Sequence, residues 1–190
     1  PSGSGKSTLL NIISMIDRPT SGKLIINKKT INYNNSNVND KIRAQQIGIV
    51  YQDDNLLSDF TALENVYLSR LALVDNIAEA LLSARKILKK TGLNRRLDHY
   101  PSELSGGEKQ RIAISRAIIN TPSIILADEP TGSLDQKNSR EIFSLLMKLK
   151  NKNRIIIFAT HNMYFSKMAD CQLELTNGRI VSKNARVANK

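Results

Sequence analysis

Residues 1–8 read PSGSGKST, and the spacing of glycine, lysine and serine in this stretch decides the fold. In the pattern G-x-x-x-x-G-K-[ST], glycines let backbone N–H groups turn inward on a polyphosphate. The lysine reaches the terminal phosphates and the hydroxyl faces a metal ion. Gly5, Lys6 and Ser7 supply the G-K-S end, whereas the first glycine of the pattern would lie one place before Pro1. No Met opens the sequence and no strand precedes the loop, so the chain reads as a piece cut inside a phosphate loop. The next residues, KSTLLNIISMI, carry Leu9, Leu10, Ile12, Ile13 and Ile16, a helix apolar on most faces. It starts where an anion would meet the positive end of the helix dipole.

Working outward, 190 residues are enough for one domain with a real core. No apolar run approaches the roughly 18–20 residues of a membrane span. The single Cys171 excludes an internal disulfide and fits a reducing compartment. Lys and Arg number 28 against 17 Asp and Glu, a net charge of +11. The basic residues are scattered and aromatics make up only 5%, which reads as a compositional bias rather than a nucleic-acid surface.

Beyond Pro19 and Gly22, KLIINKKTINY reads as a hairpin around a polar turn, and 32–40 as a polar loop of low complexity. A β-branched run places a strand at Ile47–Tyr51. From Phe60 to Tyr100 the texture is helical, with Asp75 as N-cap of NIAEALLSARKILKKT and Gly92 as its stop. An α/β rhythm follows: helix Glu108–Asn120, strand Ser123–Ala127, helix Asn138–Lys150, then the strand RIIIFA. Both strands are continuous apolar runs, as in a parallel sheet covered on both faces. CQLELTNGRIV closes the chain as a hairpin around Asn177-Gly178.

Phosphoryl transfer to water needs a phosphate cradle, a metal ion, an oriented water and charge stabilisation. Lys6 would neutralise phosphate oxygens, and Ser7 would place its hydroxyl on Mg²⁺. In IILADEP a buried strand delivers Asp128 and Glu129 to the carboxyl edge of the sheet, where ligands bind in such folds. Asp128 would reach Mg²⁺ through water and Glu129 would polarise the attacking water. His161 follows RIIIFA at the same edge. Gln52, after its own strand, offers an amide to metal or water. In LSGGEKQR, Ser105, Gly106 and Gly107 precede a helix and form a second anion site. One nucleotide rarely needs two such sites in one chain, so this one is expected to close over nucleotide held by another copy.

The ordered set SGSGKST, Gln52, LSGGE, ILADEP, SLD and His161 resembles the ATP-binding domain of ABC transporters over the whole chain. IGIVYQDDNLL, TALENVYL, YPSELSGGEKQRIAISRAI and LADEPTGSLD are similar to the subfamily that energises lipoprotein release, macrolide export and antimicrobial-peptide export. The resemblance implies an α/β fold: a phosphate-loop NTPase (RecA-like) parallel core at 1–52 and 105–190, a small antiparallel β part, and an inserted helical subdomain at 53–104. It implies ATP and Mg²⁺ as cofactors and a head-to-tail dimer with a second ATP-binding domain. It also implies a membrane permease docked near the Gln52 loop, and a peripheral place on the cytoplasmic face. Ser2, Gly3, Ser4, Gly5, Lys6, Ser7 and Thr8 would hold phosphates and, through Ser7 with Gln52 and Asp128, the metal. Glu129 would be the base, with Gln52 sensing and His161 switching. Ser105, Gly106 and Gly107 would bind the partner's nucleotide, and Asp135 would link the two sites.

The first loop glycine, the preceding strand and the aromatic that stacks on adenine are absent, Tyr51 stands where Phe is common, and Asn162 where Asp is frequent. The piece alone is therefore expected to bind ATP poorly, with a gap in its sheet between Ile124–Ala127 and Ile155–Ala159. A GTPase would need N-K-x-D, which NKKT and NKNR lack. The alternative is a non-transport ABC ATPase acting on nucleic acid or ribosomes. It rests on the +11 charge, while the scatter of that charge weighs against nucleic acid.

Overall fold

The structure, a computed structural model, describes residues 3–185. Ser2 therefore lies outside the described residues. Its centre is a three-stranded parallel sheet of β3 (Ile47–Val50), β4 (Ile124–Asp128) and β5 (Ile155–Ala159), in that order. The apolar runs that predict these strands are continuous because both faces are covered. Along each strand alternate residues turn to opposite sides. Val50, Ile125, Ala127, Ile156 and Phe158 pack with α5 (Gly106–Ile118) and α6 (Gln136–Lys148). Ile47, Ile49, Leu126, Ile157 and Ala159 pack with α1 (Lys6–Ile13) and the hairpin of β1 (Ile25–Ile26) and β2 (Lys29–Thr30). Ile125 and Leu126 are 0% and 1% exposed, each worth roughly 1.5–3 kcal/mol of burial. On the α5 side, a Cβ at Gly48 would lie 2.2 Å from the Ala117 carbonyl oxygen, so only glycine lets that helix sit this close.

The second core joins α3 (Ala62–Leu71) and α4 (Ile77–Lys90) to α5 through Val66, Ala84, Leu88, Leu93, Ile112 and Ile119. A capping box between Thr61 and Glu64 starts α3. Gly92 stops α4 with φ 85°. The cap of α4 is Asn76, whose side chain accepts from the Glu79 N–H, rather than Asp75, one residue too early. The chain closes with short α7 (Met163–Ser166) and the hairpin β6 (Cys171–Thr176) and β7 (Arg179–Ala185). Its turn residues Asn177 and Gly178 both have positive φ, as that two-residue turn requires. Among the described residues no helix is long and apolar enough to cross a membrane.

Two further expectations are corrected. Residues 36–46, half of them read as a polar loop, form helix α2 (Ser36–Gln46). It starts on Asn35, whose side chain accepts from the Val38 N–H, and tucks Asn39 inward to donate to the Asn32 carbonyl. Besides its cap and one buried amide, Ile42 packs on the core, and a single such side chain makes no apolar stripe for periodicity to detect. Second, no gap separates 124–127 from 155–159: β4 and β5 pair directly from Ile124↔Ile155 to Asp128↔Ala159. The open side of β5 is the other one. There Ile155–Thr160 face Leu173 and Leu175 of β6 across a groove of about 480 Å³ that Lys6 and Leu9 also border. Strand order is a long-range property, and the order of motifs along the chain does not encode it.

Candidate functional site

The three parallel strands end together. Tyr51 and Gln52 leave β3, Asp128 and Glu129 leave β4, and Thr160 and His161 leave β5 at one edge of the sheet. There Glu129 adopts φ 43°, in the left-handed region that costs a non-glycine residue about 1–3 kcal/mol. The conformation is held because the Glu129 N–H donates to the Ala159 carbonyl at 2.9 Å and its own carbonyl accepts from Gly132. The result aims the carboxylate at His161: Oε1 lies 3.0 Å from Nδ1. Glu129 is largely buried while His161 is 73% exposed, so the pair has one sheltered member and one that faces solvent.

The phosphate loop wraps the start of α1. Gly3 and Gly5 have φ 78° and 97°, both left-handed, and Gly5 caps the helix without any side-chain hydrogen bond. No acidic residue sits in the first turn. Ser4 is buried, its carbonyl accepting from the Gly178 N–H, which ties the loop to the terminal hairpin. Lys6 donates to the Ser4 hydroxyl at 3.4 Å, and Ser7 and Thr8 are exposed. Open N–H groups, a lysine and no carboxylate make a cradle for phosphates.

Asp128 borders a cavity of about 10 Å³, room for roughly one water, with Tyr51, Asn11 and Ser14. No hydrogen bond joins it to Ser7. Gln52 is exposed, its amide packed on Gly132, where a Cβ would come within 3.1 Å, and its carbonyl accepts from Ser133. The oxygen donors Ser7, Asp128 and Gln52 suit a hard cation that shares its shell with phosphate and water. Among the described residues no three His, Cys, Asp or Glu gather to hold a metal by themselves.

The glycine pair at 106–107 lies apart. Helix α5 packs on the Ile125 and Ala127 face of the sheet, while α1 packs on the Leu126 face. Ser105 caps α5, accepting from the Glu108 N–H and donating to the Glu108 carboxylate in a capping box. Arg96 holds Glu108 at 2.7 Å, and its guanidinium, with the Ser105 N–H, pushes that carboxyl down to about 2. A Cβ at Gly107 would lie 2.7 Å from Asn138 Oδ1. Asn138 bonds in turn to Asp135, which caps α6, and the N–H and side-chain amide of Asn138 hold the Asp135 carboxyl below its usual range. Asn138 thus bonds to Asp135 and fills the space beside Gly107 that a Cβ would need.

The structure therefore brings together Glu129 with His161, Gln52 with the 132–133 turn, and Asp135 with Gly107. It does not bring residues 105–107 to the phosphate loop by any hydrogen bond among the described residues. Arg96, Asn138 and Gln110, whose side-chain amide donates to the Tyr51 carbonyl at 2.9 Å, escape sequence reading because each acts across a fold contact with no local signal.

The family described as ABC transporter matches residues 1–132. The lipoprotein-releasing system ATP-binding protein LolD of Rickettsia bellii is 46% identical over 180 residues, covering 94% of this chain and 79% of that protein. LolD of Wigglesworthia glossinidia brevipalpis is 44% identical over 184 residues, covering 96% and 80%. The ATP-binding cassette MJ0796, solved as a dimer in a post-hydrolysis state bound to ADP and Pi, superimposes with a TM-score of 0.89. It is 37% identical over 99% of this chain and 83% of that one. These likenesses favour a transporter ATPase over a cassette acting on nucleic acid or ribosomes. The chain belongs to the ABC transporter family, as an ATP-binding subunit whose hydrolysis of ATP drives transport.

Proposed function

We propose that this subunit powers a transporter of the lipoprotein-release and export kind, working as a head-to-tail pair of ATP-binding domains. The observation that carries the reading is the Glu129–His161 pair at the carboxyl edge of the sheet. Glu129, sheltered and strained, accepts the proton of the attacking water, and His161 fixes the carboxylate and faces the γ-phosphate from the solvent side. Gly3, Ser4, Gly5, Lys6, Ser7 and Thr8 cradle the phosphates, with Ser2 beside them in sequence. Ser7 and Gln52, with Asp128 through water, would hold Mg²⁺, which would supply positive charge against the bound phosphates. Ser105, Gly106 and Gly107 present a helix end to nucleotide on the second copy. The position of α5 and α1 on opposite sheet faces supports this, because one chain's phosphate loop and glycine pair do not meet. Asp135, tied to Gly107 through Asn138, reports the state of one site to the other.

The subunit sits on the cytoplasmic face and receives a permease at the loop after Gln52. Leu57 and Phe60 are 48% and 37% exposed there and Leu56 is half-buried, which leaves an apolar rim for a partner helix. The division into a nucleotide-binding core at 1–52 and 105–190 and a helical subdomain at 53–104 follows the same reading.

The test is Glu129→Gln in the protein. Nucleotide titration is expected to match wild type, turnover to fall at least about 100-fold as for loss of a general base, and size-exclusion chromatography with ATP to show a trapped dimer. Turnover within a factor of two of wild type would overturn the assignment of Glu129.

A further inference from the structure

The loop that carries Gln52 is held by its carbonyl oxygens. Tyr51 O accepts from Gln110 Nε2 at 2.9 Å, and Gln52 O from Ser133 Oγ at 3.3 Å. Past Asp53, Arg116, in the last turn of α5, spans two more: Nη2 donates to the Asp54 carbonyl at 2.6 Å and Nη1 to the Asn55 carbonyl at 2.7 Å. Asn55 has φ 48°, so the chain turns sharply under the guanidinium. Both contacts are to main-chain oxygens, and among the described residues no carboxylate lies within ion-pair distance of Arg116, although the Asp54 charge favours the cation. A planar fork whose two N–H groups match two carbonyls fixes both position and orientation, which a point charge would not. Burial also depresses the pKa of this guanidinium, so the cation is held here at some cost. From residue 57 the loop is instead bound to α3, where the buried Asn65 side chain accepts from the Leu57 N–H and donates to the Leu57, Phe60 and Thr61 carbonyls.

We propose that Arg116 is a positioning residue for ATP hydrolysis, locking the Asp54–Asn55 carbonyls so that Gln52 stands at a fixed place beside the 132–133 turn. This rests on the reading of Gln52 as the amide offered to metal or water. Gln52 lies two residues from the fork and its amide already touches Gly132. Without the fork, the loop between the Ser133 contact and the Asn65 contacts keeps, among the described residues, its own Leu56 N–H to Asp54 turn and the packing of Leu56 on the helical core, neither of which holds the Asp54 and Asn55 carbonyls. The Ser105 end of the same helix lies eleven residues from Arg116, about 16 Å at 1.5 Å per residue. The fork therefore joins the Gln52 loop to the helix that presents Ser105 to the second copy.

The experiment is a double-mutant cycle in the protein, read by steady-state ATPase kinetics. Arg116→Gln is expected to lower kcat roughly tenfold with KM for ATP within about twofold, since the phosphate cradle lies on the other sheet face. Arg116→Lys is expected to recover part of kcat, roughly threefold below wild type, because one ammonium reaches one carbonyl well and not both. Gln52→Ala alone lowers kcat, and adding Arg116→Gln to it is expected to cost less than about twofold more. A merely structural role for Arg116 would multiply the two losses, and that outcome overturns the proposal. If Arg116→Gln does not fold, Arg116→Lys is carried through the same cycle with the same criterion. Wild-type turnover in Gln52→Ala would refute the reading of Gln52, which is a separate failure from multiplicative losses.

Discussion

Helices α1 and α5 both begin on a glycine-rich turn, and both were expected to bind phosphate, yet their first turns are built in opposite ways. The start of α1 has a left-handed glycine cap, no side chain on its N–H groups and no acidic residue. The start of α5 has a serine cap, a reciprocal glutamate and an arginine behind it. One end leaves its N–H groups for an outside anion. The other satisfies part of its own demand and places a carboxylate where an anion would arrive, offset by the Arg96 guanidinium. The cradle at α1 is thus suited to hold nucleotide by itself. The end of α5 is suited to touch, weakly and conditionally, a phosphate brought to it by something else.

The largest expected effect separates the two ends by affinity. Lys6→Ala should weaken ATP binding at least about 100-fold, since it removes a charge-assisted contact to phosphate from an otherwise uncapped helix start. Ser105→Ala should leave ATP affinity within about twofold and instead lower stability by roughly 0.5–2 kcal/mol, the cost of a lost cap. Isothermal titration and urea unfolding read both. If Ser105→Ala weakened nucleotide binding as much as Lys6→Ala, the two ends would serve one site within one chain.

The next effect concerns assembly. A bulky cation at Ser105 would obstruct the approach of a second copy without touching the phosphate loop. Ser105→Arg in a Glu129→Gln background is therefore expected to bind ATP normally and to remain monomeric at concentrations where Glu129→Gln alone is dimeric. A dimer of unchanged stability would show that residues 105–107 do not lie in the interface between copies.

What could be read in advance follows the same division between local and long-range physics. The strands at 124–128 and 155–159 announce themselves as apolar runs, because a parallel sheet covered on both faces needs no polar residue between its ends. Glu129 and His161 were legible for that reason: each follows such a run, and parallel strands end on one side. The helix at 36–46 was not, because caps and one buried asparagine hold it rather than an apolar stripe. The open edge of β5 was misplaced because motif order says nothing of which strand lies beside which. Arg96, Asn138 and Arg116 were invisible. They meet partners 12, 31 and 61 residues away in sequence, and nothing in their own surroundings marks them.

The smallest effect isolates the charge at the start of α5. Glutamine at position 108 can still complete a capping box, so Glu108→Gln removes the charge and its pairing with Arg96 while keeping the cap. The folded protein lowers the Glu108 carboxyl from 4.5 to about 2, chiefly through Arg96 and the Ser105 N–H. A carboxyl lowered on folding stabilises the native state where the unfolded chain is also ionised, and that contribution disappears as protons bind. Its contribution is therefore complete above about pH 5 and is lost as pH falls from the unfolded value towards about 2. The pair lies near the surface, so the effect at neutral pH is expected to be below about 1 kcal/mol and to shrink with added salt. Urea midpoints for wild type and Glu108→Gln at pH 7, 5, 4 and 3 should converge as the pH drops. A difference that stays constant down to pH 3 would mean that the glutamate acts through its shape and hydrogen bonds alone. The contrast between the two helix ends would then be one of capping, with no part played by the carboxylate's charge.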